Sequence, residues 1–274
     1  MDPVLPGVAR IELRTPTLPP ATHTNTWVVG TEALTVVDPA SPYDDERGRL
    51  WRALDDAARE GRTVRRLFLT HHHADHVGGA VALRDALAAA GRPAPIAAHP
   101  VTAALLADRV VVDELVEDGD EIEAGVRAIH TPGHAPGHLC LAGDGWIVAG
   151  DMVAGVGTIL LDPAEGDLDD YLRSLARLGA LGRDVLLPAH GPALPNAATV
   201  LSMYAAHRNA RSEQVLAALD RAGAARADDL VPAVYRDLDP RARPIAAAQI
   251  ETHLRWLVRH GRAGRVGDRY VAAG

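Results

Sequence analysis

Six consecutive residues, His71-His72-His73-Ala74-Asp75-His76, hold four imidazoles and a carboxylate between the apolar run "VRRLFLT" and the pair Gly78-Gly79. Imidazole nitrogen and carboxylate oxygen are donors that suit zinc and similar divalent ions, and a catalytic zinc site takes about three protein donors and keeps a position for water. Imidazoles this close would repel one another if protonated and would leave polar atoms unsatisfied if buried without a ligand. A metal centre accounts for them. The spacing lets His71 and His73 face one ion while Asp75 and His76 face a second; His72 breaks that alternation and is expected to point away. Further donors follow: His134 in "TPGHAPGH", Asp151 in "VAGD" and His190 in "LLPAHG".

The elements that must position these groups can be read from the apolar pattern. Extended runs "VARIEL", "TNTWVVG" and "ALTVVD" precede a helical pattern, "DDERGRLWRALDDAAREG", that stops on Gly61. "VRRLFLT" is a buried strand, and "GGAVALRDALAAAG" a helix with glycine at either end. Strand "PIAAH", a short helix over 100–107, strands "DEIEAG", "VRAIH", "HLCLAG" and "WIVAGD", a helix over 168–178 and strand "DVLLPAH" continue the alternation. His71, His134, Asp151 and His190 all stand at or just past the C-terminal ends of apolar runs, which gives them one address. From Ala197 a long helical pattern leads into two more, "ADDLVPAVYRDL" and "PIAAAQIETHLRWLVRHG", and a terminal hairpin turning at Gly267-Asp268; three helices and a hairpin predict a winged helix. The expected division is a catalytic domain over 1–196 and a linking helix with winged helix over 197–274.

Composition narrows the function classes. A chain of 274 residues has room for one large domain and a small one. The net charge of −8 excludes a protein that coats nucleic acid over its whole surface. From His207 onward, however, 12 arginines stand against 8 acidic residues, so a local basic patch is compatible with the sequence. No window reaches the ~18 apolar residues of a membrane span, and the opening residues read as no leader, so a cytoplasmic location without membrane partners is expected. The one cysteine, Cys140, sits in the alternating run "HLCLAG" and reads as a small buried residue. The isolated histidines His23, His99, His130, His207, His253 and His260 read as ordinary core or surface residues.

Taken in order, "THHHADH", "TPGHAPGH", "AGD" and "PAHG" resemble the metal-binding motifs of the metallo-β-lactamase superfamily, and every position of that pattern is filled over roughly residues 8–195. The resemblance implies an α/β fold, an αββα sandwich with a dinuclear site at one edge, followed here by the small helical winged-helix domain. It implies two divalent metal ions, Zn2+ first among them: His71, His73 and His134 on one, Asp75, His76 and His190 on the other, with Asp151 between them. "HTNTWVVG", "GVGT", "LDDYLRSLARL" and the long stretch from "PAHGPALPNAA" into the winged helix narrow the resemblance to the lactamase-beta-like branch, which holds an endoribonuclease for single-stranded RNA and fungal thioesterases. "THHHADHVGG" and "TPGHAPGH" are similar to glyoxalase II enzymes as well, whereas the segment after Asp151 and the winged helix fit the lactamase-beta-like branch better.

Two ions bridged by water lower its pKa and stabilise the oxyanion at the attacked centre, so the expected reaction is hydrolysis by a metal-bridging hydroxide, with Asp75 as the catalytic carboxylate that orients it or accepts its proton. The first expectation for the substrate is single-stranded RNA, and the alternative is a small acyl thioester. For single-stranded RNA, Arg208, Arg211, Arg255, Arg259, Arg262, Arg265 and Arg269 with Trp256 and Tyr270 offer charge and stacking surface. For small acyl thioesters of the hydroxyacylglutathione type, "GVGTILLDPAEGD" offers an apolar wall. β-Lactam hydrolysis fits a leaderless chain less well. Flavin-dependent diiron proteins of the same fold carry Glu where this chain has His73; persulfide dioxygenases differ in using one iron; a DNA-binding regulator would leave a complete ligand set without purpose. Asn25 and Thr26 in "HTNTW" are candidates for a place near the metals, or for satisfied turn and strand residues. Association into oligomers stays open.

Overall fold

The computed structural model describes residues 1–273, which fall into two compact units. The first comprises 1–131, 136–158 and 182–197; the second takes two excursions from that stretch, 132–135 and 159–181, together with everything from Ala198.

The first unit is built on two sheets. One has seven strands in chain order: β1 (Asp2–Leu5), β2 (Val8–Arg14), β3 (His23–Val29), β4 (Ala33–Val37), β5 (Thr63–Phe68), β6 (Ile96–Ala98) and β7 (Glu114–Leu115). The other has six, β8 (Glu121–Glu123), β9 (Val126–His130), β10 (Leu139–Ala142), β11 (Trp146–Gly150), β12 (Val185–Pro188) and β13 (Leu194–Pro195), each beside its neighbour in sequence. Alternation puts Trp27, Val37 and Phe68 of the first sheet into one apolar cluster with Leu139, Leu141, Val148 and Leu187 of the second, so the sheets pack face to face. The opposite face of the first sheet, Leu34, Val36 and Leu67, is covered by Leu50 and Leu54 of helix α1 (Asp44–Arg59) and, beyond a four-residue helix α2 (Ala74–Val77), by Leu83 and Leu87 of α3 (Ala80–Ala89), with Leu106 of α4 (Pro100–Leu106). This is the expected α/β sandwich. Most of its strands pair antiparallel, but β4 to β7 run parallel to one another in the first sheet and β11 with β12 in the second, and a parallel pair sends both chains out of the sheet at the same end.

The second unit contains α5 (Leu168–Ala180), the 26-residue α6 (Ala197–Ala222), α7 (Ala227–Val234), a 3-10 turn Pro240–Ala242 and α8 (Arg243–Arg259). A small sheet of β14 (Ala224–Ala225), β15 (Ala263–Val266) and β16 (Arg269–Ala272) completes it, with the hairpin turning at Gly267-Asp268 as the sequence predicts. Val215 and Leu219 of α6, Leu230 of α7, Ile250, Leu254 and Leu257 of α8 and Tyr270 of β16 make its core. That core is a winged helix. At its edge Ser212 and the buried His253 hydrogen-bond across α6 and α8 at 2.8 Å. Burial, with the nearby charges of Arg208 and Arg211 and the ring of His207, lowers the His253 pKa to about 3.

The unfolded chain therefore takes up a proton at residue 253 from about pH 6.5 downward, whereas the folded chain does not until about pH 3, and stability must fall with pH in that window. The expected slope from this one group approaches about 1 kcal/mol per pH unit. Urea midpoints measured at pH 7 and pH 4.5 check it: His253→Gln is expected to lose distinctly less stability on acidification than the wild type, and an equal loss would show that His253 does not carry the effect.

Candidate metal centre

The parallel strand pairs deliver the candidate ligands. β4 and β5 end just before Asp38 and before the turn Thr70-His71; β11 and β12 end just before Asp151 and His190. These are the C-terminal ends of neighbouring parallel strands, the place where α/β sheets collect their ligands.

Asp38 fixes the first edge. Its carboxylate is 2% exposed and accepts three hydrogen bonds, from Thr70 N at 2.8 Å, Thr70 Oγ1 at 2.7 Å and His76 Nδ1 at 2.8 Å. Asp38 sits at φ 48°, a left-handed conformation that aspartate tolerates better than most side chains. Because the carboxylate accepts at His76 Nδ1, that nitrogen keeps the proton of the neutral ring, and Nε2 is the nitrogen that can turn a lone pair to an ion. His190 is fixed in the same sense, its Nδ1 donating to the carbonyl of His23 at 2.9 Å.

The Nε2 edges of these two buried rings converge on two carboxylates. His76 Nε2 lies 3.5 Å from Asp151 Oδ1 and 4.0 Å from Asp75 Oδ1; His190 Nε2 lies 3.5 Å from Asp151 Oδ1 and 3.6 Å from Asp75 Oδ2. His76 Nε2 is buried and has no hydrogen-bond partner. These separations exceed ordinary hydrogen bonds but match the edge of a coordination tetrahedron, since two ligands each ~2.0–2.1 Å from one zinc ion stand about 3.4 Å apart. Donor atoms of Asp75, His76 and His190 lie within 4.8 Å of one another, and so do those of His71, His76 and Asp151. His71 Nε2 and His73 Nδ1 face each other at 2.9 Å.

The electrostatics favour positive charge in this place. Burial opposes a charge on His76, yet the carboxylates of Asp151, Asp38 and Asp75 outweigh it and hold the imidazole pKa well above the usual histidine range. Against its own burial Asp151 is held well below the usual carboxylate range by His76 and His190, and Asp151 in turn raises the pKa of the largely buried His190. A buried set of nitrogen and oxygen donors that stabilises cationic charge, with His76 Nε2 left without a hydrogen-bond partner, fits a divalent ion standing in place of a proton.

Six of the seven ligand candidates, His71, His73, Asp75, His76, Asp151 and His190, are thus gathered at one edge of the first unit; His72 stands in neither of the two groups above. The seventh, His134, lies on the loop Pro132–Ala135, which by its contacts belongs to the second unit, and its Nδ1 donates to the carbonyl of Leu160 at 2.8 Å.

Sequence reading missed the residues that hold the donors in place. Besides Asp38 there is His138, whose buried Nε2 accepts from the backbone N of Asp151 at 3.1 Å while Nδ1 bonds Thr131 Oγ1 at 2.8 Å. Gly150 must be glycine at this point, for its φ is +48° and a Cβ there would lie 2.5 Å from the His138 ring. Asn25 is a strut. It donates through Nδ2 to the carbonyls of Pro188 and Gly191 at 2.9 and 2.8 Å and through its backbone N to Ala189 O at 2.7 Å, thereby anchoring the segment that carries His190. Thr26 donates to Asp38 O at 2.6 Å. Their contacts serve a structural role, although Asn25 Oδ1 is buried without a hydrogen-bond partner and so is not a fully satisfied side chain.

The groups considered for RNA contact are largely engaged inside the second unit. Arg255 pairs with Glu251, Arg259 with Asp167 and Asp169, and Arg262 with Glu213; Trp256 Nε1 donates to Asp169 and Tyr270 OH to Glu251. Arg208 is buried, Arg211 and Arg265 stack on Tyr235 and Tyr270, and Arg269 donates to Ala224 O.

Comparison with known proteins agrees with this anatomy. A family model described as the metallo-beta-lactamase superfamily matches residues 19–190, and one described as a beta-lactamase associated winged helix domain matches residues 227–271. A lactamase-like protein of Penicillium aethiopicum is 31% identical over 78% of this chain and 66% of its own length, so the chain spans just under two thirds of that relative. An atrochrysone carboxyl ACP thioesterase of Aspergillus fumigatus is 30% identical over 86% of this chain and 75% of its own length. The solved structure of a beta-lactamase domain protein from Burkholderia ambifaria matches with a TM-score of 0.84 at 26% identity, over 99% of this chain and 93% of the other. The superfamily match alone extends over more than half of the sequence and includes all seven ligand candidates, and on that ground the chain belongs to the metallo-beta-lactamase superfamily.

Proposed function

We propose that this chain is a hydrolase of acyl thioesters that holds two divalent ions, zinc in the first place. The observation that carries the metal reading is the convergence of His76 Nε2, His190 Nε2, Asp75 and Asp151 at separations too long for hydrogen bonds, with His76 Nε2 buried and unbonded. The thioester reading is supported by a relative named as a thioesterase that is 30% identical over 75% of its length. RNA stands second because the basic and aromatic groups suited to it are occupied by internal partners.

In this reading His71, His73 and His134 hold one ion, Asp75, His76 and His190 hold the other, and Asp151 is shared. The ions would supply an activated water and positive charge for the oxyanion of the attacked carbonyl. The chain's own residues do the rest. Asp38 and the carbonyl of His23 keep His76 and His190 in the tautomer that presents Nε2. Asp75, whose side chain is 17% exposed, reaches solvent from the edge of the cluster and is placed to take the proton of the attacking water. Addition at the carbonyl carbon and rupture of the carbon–sulfur bond then give a carboxylate and a thiol.

Release of thiol from acyl-CoA and acyl-pantetheine substrates, followed with a thiol reagent beside a labelled single-stranded RNA, tests the substrate class. Thiol release without RNA cleavage is expected; RNA cleavage alone would overturn the thioester reading. Asp75→Asn is expected to reduce turnover by about 10²–10⁴ with the circular dichroism spectrum unchanged, and near-normal turnover would remove Asp75 from its role. Asp38→Asn is expected to weaken metal binding by about 10- to 100-fold, as loss of an orienting carboxylate does elsewhere; competition with a chromophoric chelator reads it, and unaltered affinity would mean that the Asp38 contact does not orient His76 for a ligand.

A further inference from the structure

The second unit holds a buried arginine with no anion to pair with. Arg208 of α6 is 3% exposed, and among the described residues no carboxylate forms an ion pair with it. Burying an unpaired cation is costly unless its donors are satisfied. Its Nη2 donates to the carbonyl of Ile159 at 2.5 Å, and the guanidinium lies over the ring of Tyr171, 5.1 Å from its centroid. The same carbonyl accepts from Gln249 Nε2 at 2.9 Å, and three residues further along α8 Thr252 Oγ1 donates to the carbonyl of Leu161 at 2.7 Å. Gln249 and Thr252 are 5% and 4% exposed, so neither bond competes with bulk water.

Ile159–Leu161 has no regular secondary structure of its own. Side chains from α6 and α8 hold the two outer carbonyls, and the middle carbonyl, Leu160 O, accepts from His134 Nδ1. A carbonyl only accepts, so His134 carries its proton on Nδ1 and keeps the lone pair on Nε2. The other side of the His134 loop is held within the same unit: Asp167 N donates to Gly133 O at 2.8 Å and Ser174 Oγ to Pro132 O at 2.7 Å. Gly133 has φ +130°, and a Cβ there would collide with the backbone of Tyr171.

We propose that Arg208, Gln249 and Thr252 are positioning residues for His134: the winged-helix unit fixes the strap Ile159–Leu161, and through Leu160 O it sets the tautomer and orientation of one metal ligand. This rests on the reading of His134 as a ligand. It gives the winged helix a task in presenting His134 that does not depend on any nucleic acid.

The test uses the full chain loaded with Co2+, whose visible absorption reports ligand geometry, together with the rate at which a chelator removes the ion. Wild type is compared with His134→Ala, Thr252→Val, Thr252→Ser, Gln249→Leu and the Thr252→Val/Gln249→Leu pair, with circular dichroism and urea midpoints as controls of folding. His134→Ala is expected to lose one of two cobalt ions. Thr252→Val, which keeps the side-chain shape, is expected to alter the absorption band of that same ion and to speed its release about 10-fold, and Thr252→Ser to restore both. Loss of the ion in His134→Ala with an unchanged band and release rate in Thr252→Val and in the pair would overturn the positioning role. Two firmly held ions in His134→Ala would overturn the ligand reading beneath it. Should Gln249→Leu fail to fold, the Thr252 variants decide the matter by themselves.

Discussion

Three hydrogen bonds to one buried carboxylate, that of Asp38, set the frame on which the candidate metal centre depends. They tie the ends of two neighbouring parallel strands together, Asp38 after β4 and Thr70 after β5, and they turn His76 so that Nε2 faces away from its anchor. An isolated charge of this kind would be costly to bury. Here two donors from Thr70 and one from His76 satisfy it, and the chain leaves the sheet in a direction that places His71, His73, Asp75 and His76 on one short segment. Replacing that carboxylate by an apolar side chain would leave Thr70 N and His76 Nδ1 buried without partners, a loss on the order of 1–3 kcal/mol each.

The second sheet meets this edge through equally specific contacts. β3 is the link, since its first residues reach across: the His23 carbonyl receives the proton of His190, and Asn25 holds Pro188 and Gly191 on either side of it. On β11 the chain passes through Gly150, where only hydrogen can face the ring of His138, and the Asp151 backbone bonds that ring. His76, His190 and Asp151 therefore each have a neighbour that fixes tautomer or position, which is how outer contacts set the properties of a metal site. In the second unit the Leu160 carbonyl does the same for His134.

Much of this was legible in the sequence because the candidate ligands stand where apolar runs end. "VRRLFLT" before His71, "WIVAG" before Asp151 and "DVLLPA" before His190 read as buried strands, and the structure places strands there, Thr63–Phe68, Trp146–Gly150 and Val185–Pro188. The winged helix was legible from three helical periods and a glycine-turned hairpin. Strands of two to four residues such as β1, β7 and β13 were not read, being too short to show a period, and α2 lies hidden inside the histidine cluster for the same reason. The residues that hold the site were illegible for another cause. Asp38 and Thr70 are 32 positions apart, and Asn25 and Gly191 are 166 apart; neither a pattern of apolar residues nor a local motif marks such partners. His138 was visible as the second histidine of "TPGHAPGH", but only the fold shows that it braces the backbone beside Asp151. Likewise the arginine excess after His207 is plain in the sequence, whereas the acidic and carbonyl partners that absorb it appear only once the helices are packed.

On the proposed reading, this edge of the fold holds two divalent ions. Counting them tests it most directly: the protein is stripped with a chelator, reloaded with Zn2+, freed of excess metal and analysed for bound metal per chain, with His190→Ala beside it. Two ions per wild-type chain and one in the variant are expected. Fewer than one ion per wild-type chain, or a count that His190→Ala leaves unchanged, would contradict the account.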